Sequence, residues 1–454
     1  MRTIIYNGIL VTMNHGRAVY PRGYVMMEGT KITGVGPVEE LWFRYGRDLG
    51  QKKDLDGEEL CFEDVRGAVI MPGMVNTHCH MSMIPFRGLG DDCKDRLRVF
   101  LLPMEQKAMD REMAVLAGRY GACELLLAGV TTVMDMYYFA ESLAQVMDET
   151  GIRGFAGETV MDEATCDAGT PREAIAAGLK AMEARGADSR VKVCLSPHGT
   201  TTLEGGLLRR IYDIDRESKV PFTLHAGEMD YEMAYLRDTY HMGAAEYLDH
   251  LGVLGPCTLL AHAIQVSERE IELLGRRGAS VAHCIGSNTK AAKGVAPVGK
   301  MMEAGVAVGL GSDGPASGNT LDLFTQMRFC ANFHKNEQRD RSAFPAKDIV
   351  AMATIQGARA LGLGDVTGSL EVGKEADVVV VETDSANMFP VYDPYAALVY
   401  SAQASNVAAV YVAGRCLVKD KKLVRQDLFR LREELLGKMK TTEFGKMGET
   451  FFVK

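Results

Sequence analysis

The first arrangement in this chain that could do chemistry is His78-Cys79-His80, reached through Val75-Asn76-Thr77. Side chains alternate faces along a strand, so two histidines two apart point the same way and can share one metal ion. Such a pair also arises by chance around a core cysteine, and by itself it identifies nothing. Four more histidines, His198, His225, His262 and His283, each close a short apolar run, and Asp313 closes another. If those runs are strands of a parallel barrel, all of these groups meet on the rim where barrel active sites assemble. Imidazoles and a carboxylate suit zinc or a similar first-row ion with one position left for water. A bound ion brings the pKa of that water toward about 7. Glu228 stands three residues after His225, in His225-Ala226-Gly227-Glu228, placed either to carry a proton to a leaving nitrogen or to cap the next helix. Spacing leaves open which histidines are ligands. His15, His241, His250 and His334 fall outside the pattern and read as surface or structural residues.

The elements that must position these groups follow from the rhythm of apolar residues. Before residue 68 there are short β-prone runs, 3–6, 9–12 and 24–27, with turn signals at Asn7-Gly8, Glu28-Gly29 and Asp56-Gly57. From residue 68 short apolar runs alternate with helical patterns. The strands expected are 73–78, 130–136, 152–158, 191–198, 221–225, 257–262, 280–283 and 306–313, with helices such as 109–127, 173–185 and 268–276 between them. That alternation predicts an α/β fold, a (β/α)8 TIM-like barrel. β character returns after residue 367. The expected organisation is a β-sandwich built from both chain ends (1–67 and 367–425), a hydrolase barrel at 68–366, and a charged surface helix and tail at 426–454.

Composition bounds the function classes. The chain has 454 residues, 47% hydrophobic and 24% charged, with a net charge of −9. A nucleic-acid binder would normally show a basic face, so nucleic acid is not an expected partner. No run of about 18 apolar residues predicts a spanning helix, and the N-terminus lacks the pattern of a secretory signal. Ten scattered cysteines without a C-x-x-C pair read as reduced thiols. The expectation is a cytoplasmic protein with no membrane partner.

Several of these segments together resemble the amidohydrolase superfamily. Met71-Pro72-Gly73-Met74-Val75-Asn76-Thr77-His78-Cys79-His80 is similar to its first-strand signature, and His225-Ala226-Gly227-Glu228 to its fifth-strand histidine with an acid three residues on. Gly309-Leu310-Gly311-Ser312-Asp313-Gly314 resembles its eighth-strand aspartate motif, and residues 373–380 its return into the small β domain. The branch it looks like contains the S-adenosylhomocysteine/methylthioadenosine deaminases, guanine deaminase and the triazine hydrolases (chlorohydrolases). The resemblance implies one divalent ion, zinc with iron(II) as the alternative, held by His78, His80, His225 and Asp313. It implies that Asp313 takes a proton from the attacking water, that Glu228 shuttles protons, and that His262 orients the water or polarises the reacting centre. His283 is left as a wall residue.

For substrate, Leu102-Pro103-Met104-Glu105 resembles the segment that offers a glutamate to ribose hydroxyls, and Ser196-Pro197-His198 the histidine that meets the purine ring. Arg153 and Arg172 fall near where the nucleoside deaminases carry arginines for the substrate tail. Asp91–Arg98 lacks the tryptophan usual there, and the sole tryptophan is Trp42. The reading is a metal-dependent aminohydrolase (deaminase) that acts on an amino-bearing carbon of a nitrogen heterocycle, such as an adenosine-type nucleoside, and releases ammonia. The alternatives are a hydrolase of a cyclic amide or of a halogenated or alkylamino triazine on the same ion, and a catalytically inactive metal-binding protein. A small heterocycle is the expected partner, with a homodimer as the expected assembly.

Overall fold

The computed structural model describes residues 2–46, 59–186 and 189–448. The Asp56-Gly57 turn and the end of the expected tail lie outside the described residues. The N-terminal part forms β1 (Arg2–Val11), β2 (Val19–Glu28), β3 (Lys31–Pro37), β4 (Leu60–Asp64) and β5 (Val69–Pro72). Asn7-Gly8 is a register shift inside β1 rather than a turn, with Asn7 at φ 66°, so the two expected runs are one strand. The bulge absorbs the extra residue without ending the pairing. A Cβ on Gly8 would sit 2.6 Å from the Ala68 carbonyl oxygen, so no larger residue fits there.

Eight further strands carry the alternating segment: β6 (Met74–Cys79), β7 (Val130–Tyr137), β8 (Arg153–Val160), β9 (Val191–Pro197), β10 (Phe222–Ala226), β11 (Thr258–His262), β12 (Ser280–His283) and β13 (Ala307–Leu310). They make two parallel four-stranded sheets, ordered β6-β7-β8-β9 and β10-β11-β12-β13. Parallel bridges Gly199–His225 and Cys79–Asp313 join the two sheets at both edges. Every residue of β7 and β8 is buried. Strands buried along their whole length belong to parallel sheets covered on both faces. The covering helices start and stop where local chemistry directs. Asp110 accepts from the Met113 N–H at 2.8 Å to open helix Arg111–Leu127. Ser267 and Glu270 form a capping box on helix Glu268–Arg277, which ends at Gly278 with φ 71°.

The chain then returns through β14 (Val378–Val381), β15 (Val407–Val412), β16 (Arg415–Lys419) and β17 (Lys422–Leu423). Strands from both ends of the chain thus share one nine-stranded sheet, in which β5 pairs with both β1 and β14. The sheet therefore extends past the expected boundary at residue 67 as far as Pro72. Helix Leu428–Lys440 buries Leu431 and Leu435, and Lys438 pairs with Asp110 and Glu112, so the expected surface helix is docked on helix Arg111–Leu127. All ten cysteines are unpaired. Among the described residues no helix is long and apolar enough to cross a membrane.

Arg153 corrects one expectation. It opens β8, at the end of the strand opposite to the histidine rim, and it is buried. Its Nε lies 2.9 Å from Asp377 Oδ2 and its Nη2 3.0 Å from Glu375 Oε2. Asp377 also accepts from Thr367 Oγ1 and the Ala413 N–H. The guanidinium therefore ties β8 to the segment entering β14 and is not available to a substrate tail. Removing one partner of a buried pair leaves the other charge uncompensated, which costs about 3–5 kcal/mol. Arg153→Met should lower unfolding stability by about that much in a denaturant titration, and a loss below about 1 kcal/mol, the worth of a surface pair, would contradict this role.

Candidate metal centre

The end of β6 and the loop after β13 are fastened to each other. Asn76 Nδ2 donates to Ser312 Oγ at 2.7 Å while its Oδ1 accepts from the Ser312 N–H at 3.1 Å. Thr77 Oγ1 donates to the Leu310 carbonyl, and the Asp313 N–H donates to the His78 carbonyl at 3.1 Å. These bonds bring Asp313 beside the histidine pair. His80 Nε2 lies 3.2 Å, and His78 Nε2 3.9 Å, from Asp313 Oδ1. His225 enters from β10 with its Nε2 3.2 Å from His78 Nε2. The ligand atoms of His78, His80 and His225 all lie within 4.8 Å of one another.

The tautomers are fixed from behind. His80 Nδ1 donates to the Met136 carbonyl and His225 Nδ1 to the His198 carbonyl, each at 2.5 Å. A carbonyl can only accept, so each Nδ1 carries a proton and each Nε2 is the nitrogen that faces inward. Burial pushes His78 and His225 well below the ordinary imidazole pKa, which keeps them neutral. Burial also pulls His80 down, but Asp313 and the Met136 carbonyl outweigh it and raise His80 to about 9. His78 Nε2 and His225 Nε2 face each other at 3.2 Å beside the Asp313 carboxylate, an arrangement that a divalent ion between them would satisfy, so the residues fit one. A second trio, His78, His262 and Cys284, overlaps this one. There the Cys284 thiol donates to the Ala282 carbonyl at 3.7 Å.

Glu228 and His262 stand on coupled loops. Gly227, at φ 64°, lets the chain turn after His225, and its carbonyl accepts from the Ile264 and Gln265 N–H groups at 2.9 and 2.8 Å. Glu232 accepts from the Gly227 and Glu228 N–H groups, both at 2.9 Å, and so holds the turn. His262 Nε2 comes to 3.6 Å from Glu228 Oε1. Its Nδ1 donates to Asn288 Oδ1 at 2.7 Å, so Nε2 is the nitrogen that faces Glu228. Glu228 also pairs with Lys293. Burial raises its pKa, but His262, Lys293 and His225 outweigh that and hold it at about 2. His262 at φ 75° and Asp313 at φ 57° adopt a left-handed backbone that non-glycine residues rarely take, a strain that functional sites carry.

A cavity of about 800 Å³ opens over these groups. Of the residues expected from sequence, Glu105 and His198 line it together with His80, His225, Glu228, His262 and Asp313. Glu105 is buried beside Tyr137 and Tyr138, and burial pushes its carboxyl up to about 7. His198 is lowered to about 4 by burial. Arg172 is the second residue of helix Pro171–Glu183, exposed and away from the cavity, because a first-turn position there faces solvent. Asn288, Lys293, Tyr137 and Tyr138 were not singled out from sequence. Tyr137 closes β7, so the strand-end rule that found the histidines could have found it. Asn288 lies on helix Ile285–Lys290 after β12 and Lys293 in the loop that follows, where sequence spacing gives no sign of what they touch.

Comparison with known proteins bears on this site. The amidohydrolase family model matches residues 69–417. A 5-methylthioadenosine/S-adenosylhomocysteine deaminase of Syntrophobacter fumaroxidans is 35% identical over 95% of this chain and 96% of its own. A 5′-deoxyadenosine deaminase of Methanosarcina barkeri is 33% identical over 95% and 96%. An adenosine deaminase from Xanthomonas campestris, solved with bound zinc, aligns with a TM-score of 0.90 at 28% identity over 97% of this chain and 98% of that one.

Asp313→Ala and His225→Ala should each lose an ion per chain by elemental analysis, with activity falling in step. Retention of that ion in either variant would contradict the ligand set.

Proposed function

The chain belongs to the amidohydrolase family, and we propose that it is a metal-dependent deaminase of adenosine-type nucleosides altered at the 5′ position. The observation that carries this reading is Glu228, a carboxylate placed beside His262 at the edge of the ligand cluster. An amine leaves a ring carbon only after it is protonated, and a carboxylate at that place can deliver the proton. The relatives' names supply the substrate class. The solved zinc-bound neighbour favours zinc, and we read the two four-stranded sheets as halves of a (β/α)8 barrel, with the nine-stranded sheet as a β-sandwich beside it.

A bound divalent ion supplies Lewis-acid activation of water at neutral pH. The chain's own groups then divide the proton work. Asp313, whose carboxyl is held well below its usual range chiefly by His80, rests ionised and accepts a proton from the attacking water. His262, steered by Asn288, positions that water against the ring carbon. Glu228 also rests ionised, so it takes up one proton from solvent, passes it to the ring nitrogen next to the reacting carbon, and later recovers a proton from the new hydroxyl. The water oxygen bonds to that carbon, Asp313 hands the proton it took from the water to the amine, the carbon–amine bond breaks, and ammonia leaves with an oxo-purine behind. In the cavity Glu105 accepts from the ribose hydroxyls and His198 meets the purine.

Glu228→Gln should keep the ion and lose about 10²–10⁴-fold in kcat for ammonia release from methylthioadenosine; a variant as active as the parent would remove Glu228 from the proton path. Glu105 has a different signature. Its pKa of about 7 means that it becomes neutral, and a weaker acceptor, as pH falls through that value. KM should therefore rise below about pH 7 with kcat little changed. Glu105→Gln should raise KM and remove that pH dependence, and a KM unaffected by the substitution would contradict the ribose contact.

A further inference from the structure

Away from the catalytic cavity, three side chains with metal-binding atoms meet in the interior. His283 closes β12, while Cys330 and His334 lie four apart on helix Leu323–Gln338 and so share one face. His283 Nε2 is 3.0 Å from His334 Nε2. Cys330 completes a set whose ligand atoms all lie within 4.8 Å of one another. All three residues are buried. Phe344 stacks on His334, with ring centroids 4.1 Å apart and planes at 15°, and holds that ring in place.

We propose that His283, Cys330 and His334 bind a second, structural zinc-class ion that ties the end of β12 to helix Leu323–Gln338. Two imidazoles and a thiolate are a donor set that zinc takes readily, and a pair four apart on a helix facing a third ligand is a recurrent way to supply it. Two buried ring nitrogens facing each other share either one proton or one ion, and the thiol beside them favours the ion. Burial holds both imidazoles neutral, with His334 at about 4 and His283 also well below its ordinary value, so both offer lone pairs. Among the described residues the Cys330 thiol has no hydrogen-bond partner, and burial pushes its pKa up. Binding therefore breaks its S–H bond, releases that proton to solvent and forms the sulfur–metal bond. No redox change is involved.

The test uses cobalt(II) as the probe on the full chain. The catalytic ligands contain no sulfur, so a near-ultraviolet thiolate-to-cobalt charge-transfer band reports this cluster alone. The band is expected in the parent protein and in Asp313→Ala, which retains the second ion while losing the catalytic one. In Cys330→Ser the band should vanish while the visible bands of the catalytic ion and the deaminase activity remain. A cobalt-loaded parent without the band, or a band that persists in Cys330→Ser, would overturn the proposal. If Cys330→Ser fails to fold, the parent and Asp313→Ala spectra still decide it: band in both supports the site, and absence from either refutes it.

Discussion

Imidazole nitrogens that aim lone pairs at one another inside a protein repel, and an adjacent carboxylate that lacks its own counter-charge is costly to bury. His78 and His225 bring two ring nitrogens to 3.2 Å, and the buried Asp313 depends on His80, 3.2 Å away, for its counter-charge. Only a cation, proton or metal, relieves both at once. Much of the surrounding structure serves to keep these groups from relaxing apart. The Met136 and His198 carbonyls block the other ring nitrogens. The Asn76–Ser312 pair locks the two edges of the sheets together, and Asp313 is held in a left-handed backbone that it would not choose alone.

The same constraint sets the division of labour around the ion. Glu228 and His262 are outside the ligand cluster but within reach of it, on loops bound to each other through the Gly227 carbonyl. Charge does the rest. Lys293 and His262 keep Glu228 ionised despite burial, whereas Glu105, with no cation as close, is driven up to about 7 beside two tyrosines. Two buried carboxyls on one cavity are thereby pushed in opposite directions. In the proposed mechanism that contrast assigns proton transfer to Glu228 and hydroxyl recognition to Glu105.

The histidine cluster and its strands were largely legible in the amino-acid order. A histidine at the end of an apolar run is a local signal, and repeating it on one rim makes a site. The strands at Ser280–His283 and Thr258–His262 match the expected runs almost residue for residue, because apolar runs between turn signals leave few other choices. What sequence could not give is partnership across distance. Arg153 reads as a candidate for substrate until Asp377, 224 residues later, is seen to hold it. Lys293 on Glu228 is the same kind of contact, and so is Asn288 on His262. Asn7-Gly8 misled for a local reason, since a bulge and a turn use the same left-handed residue and differ only in whether pairing continues.

The most direct test of this account is anomalous diffraction at the zinc edge on crystals of the zinc-loaded protein. A peak bonded to the Nε2 atoms of His78, His80 and His225, with Asp313 Oδ1 turned to the same ion, is the predicted result. Zinc seated instead on Cys284 and His262, or a map in which Asp313 faces away and the histidines carry protons in place of a metal, would contradict it.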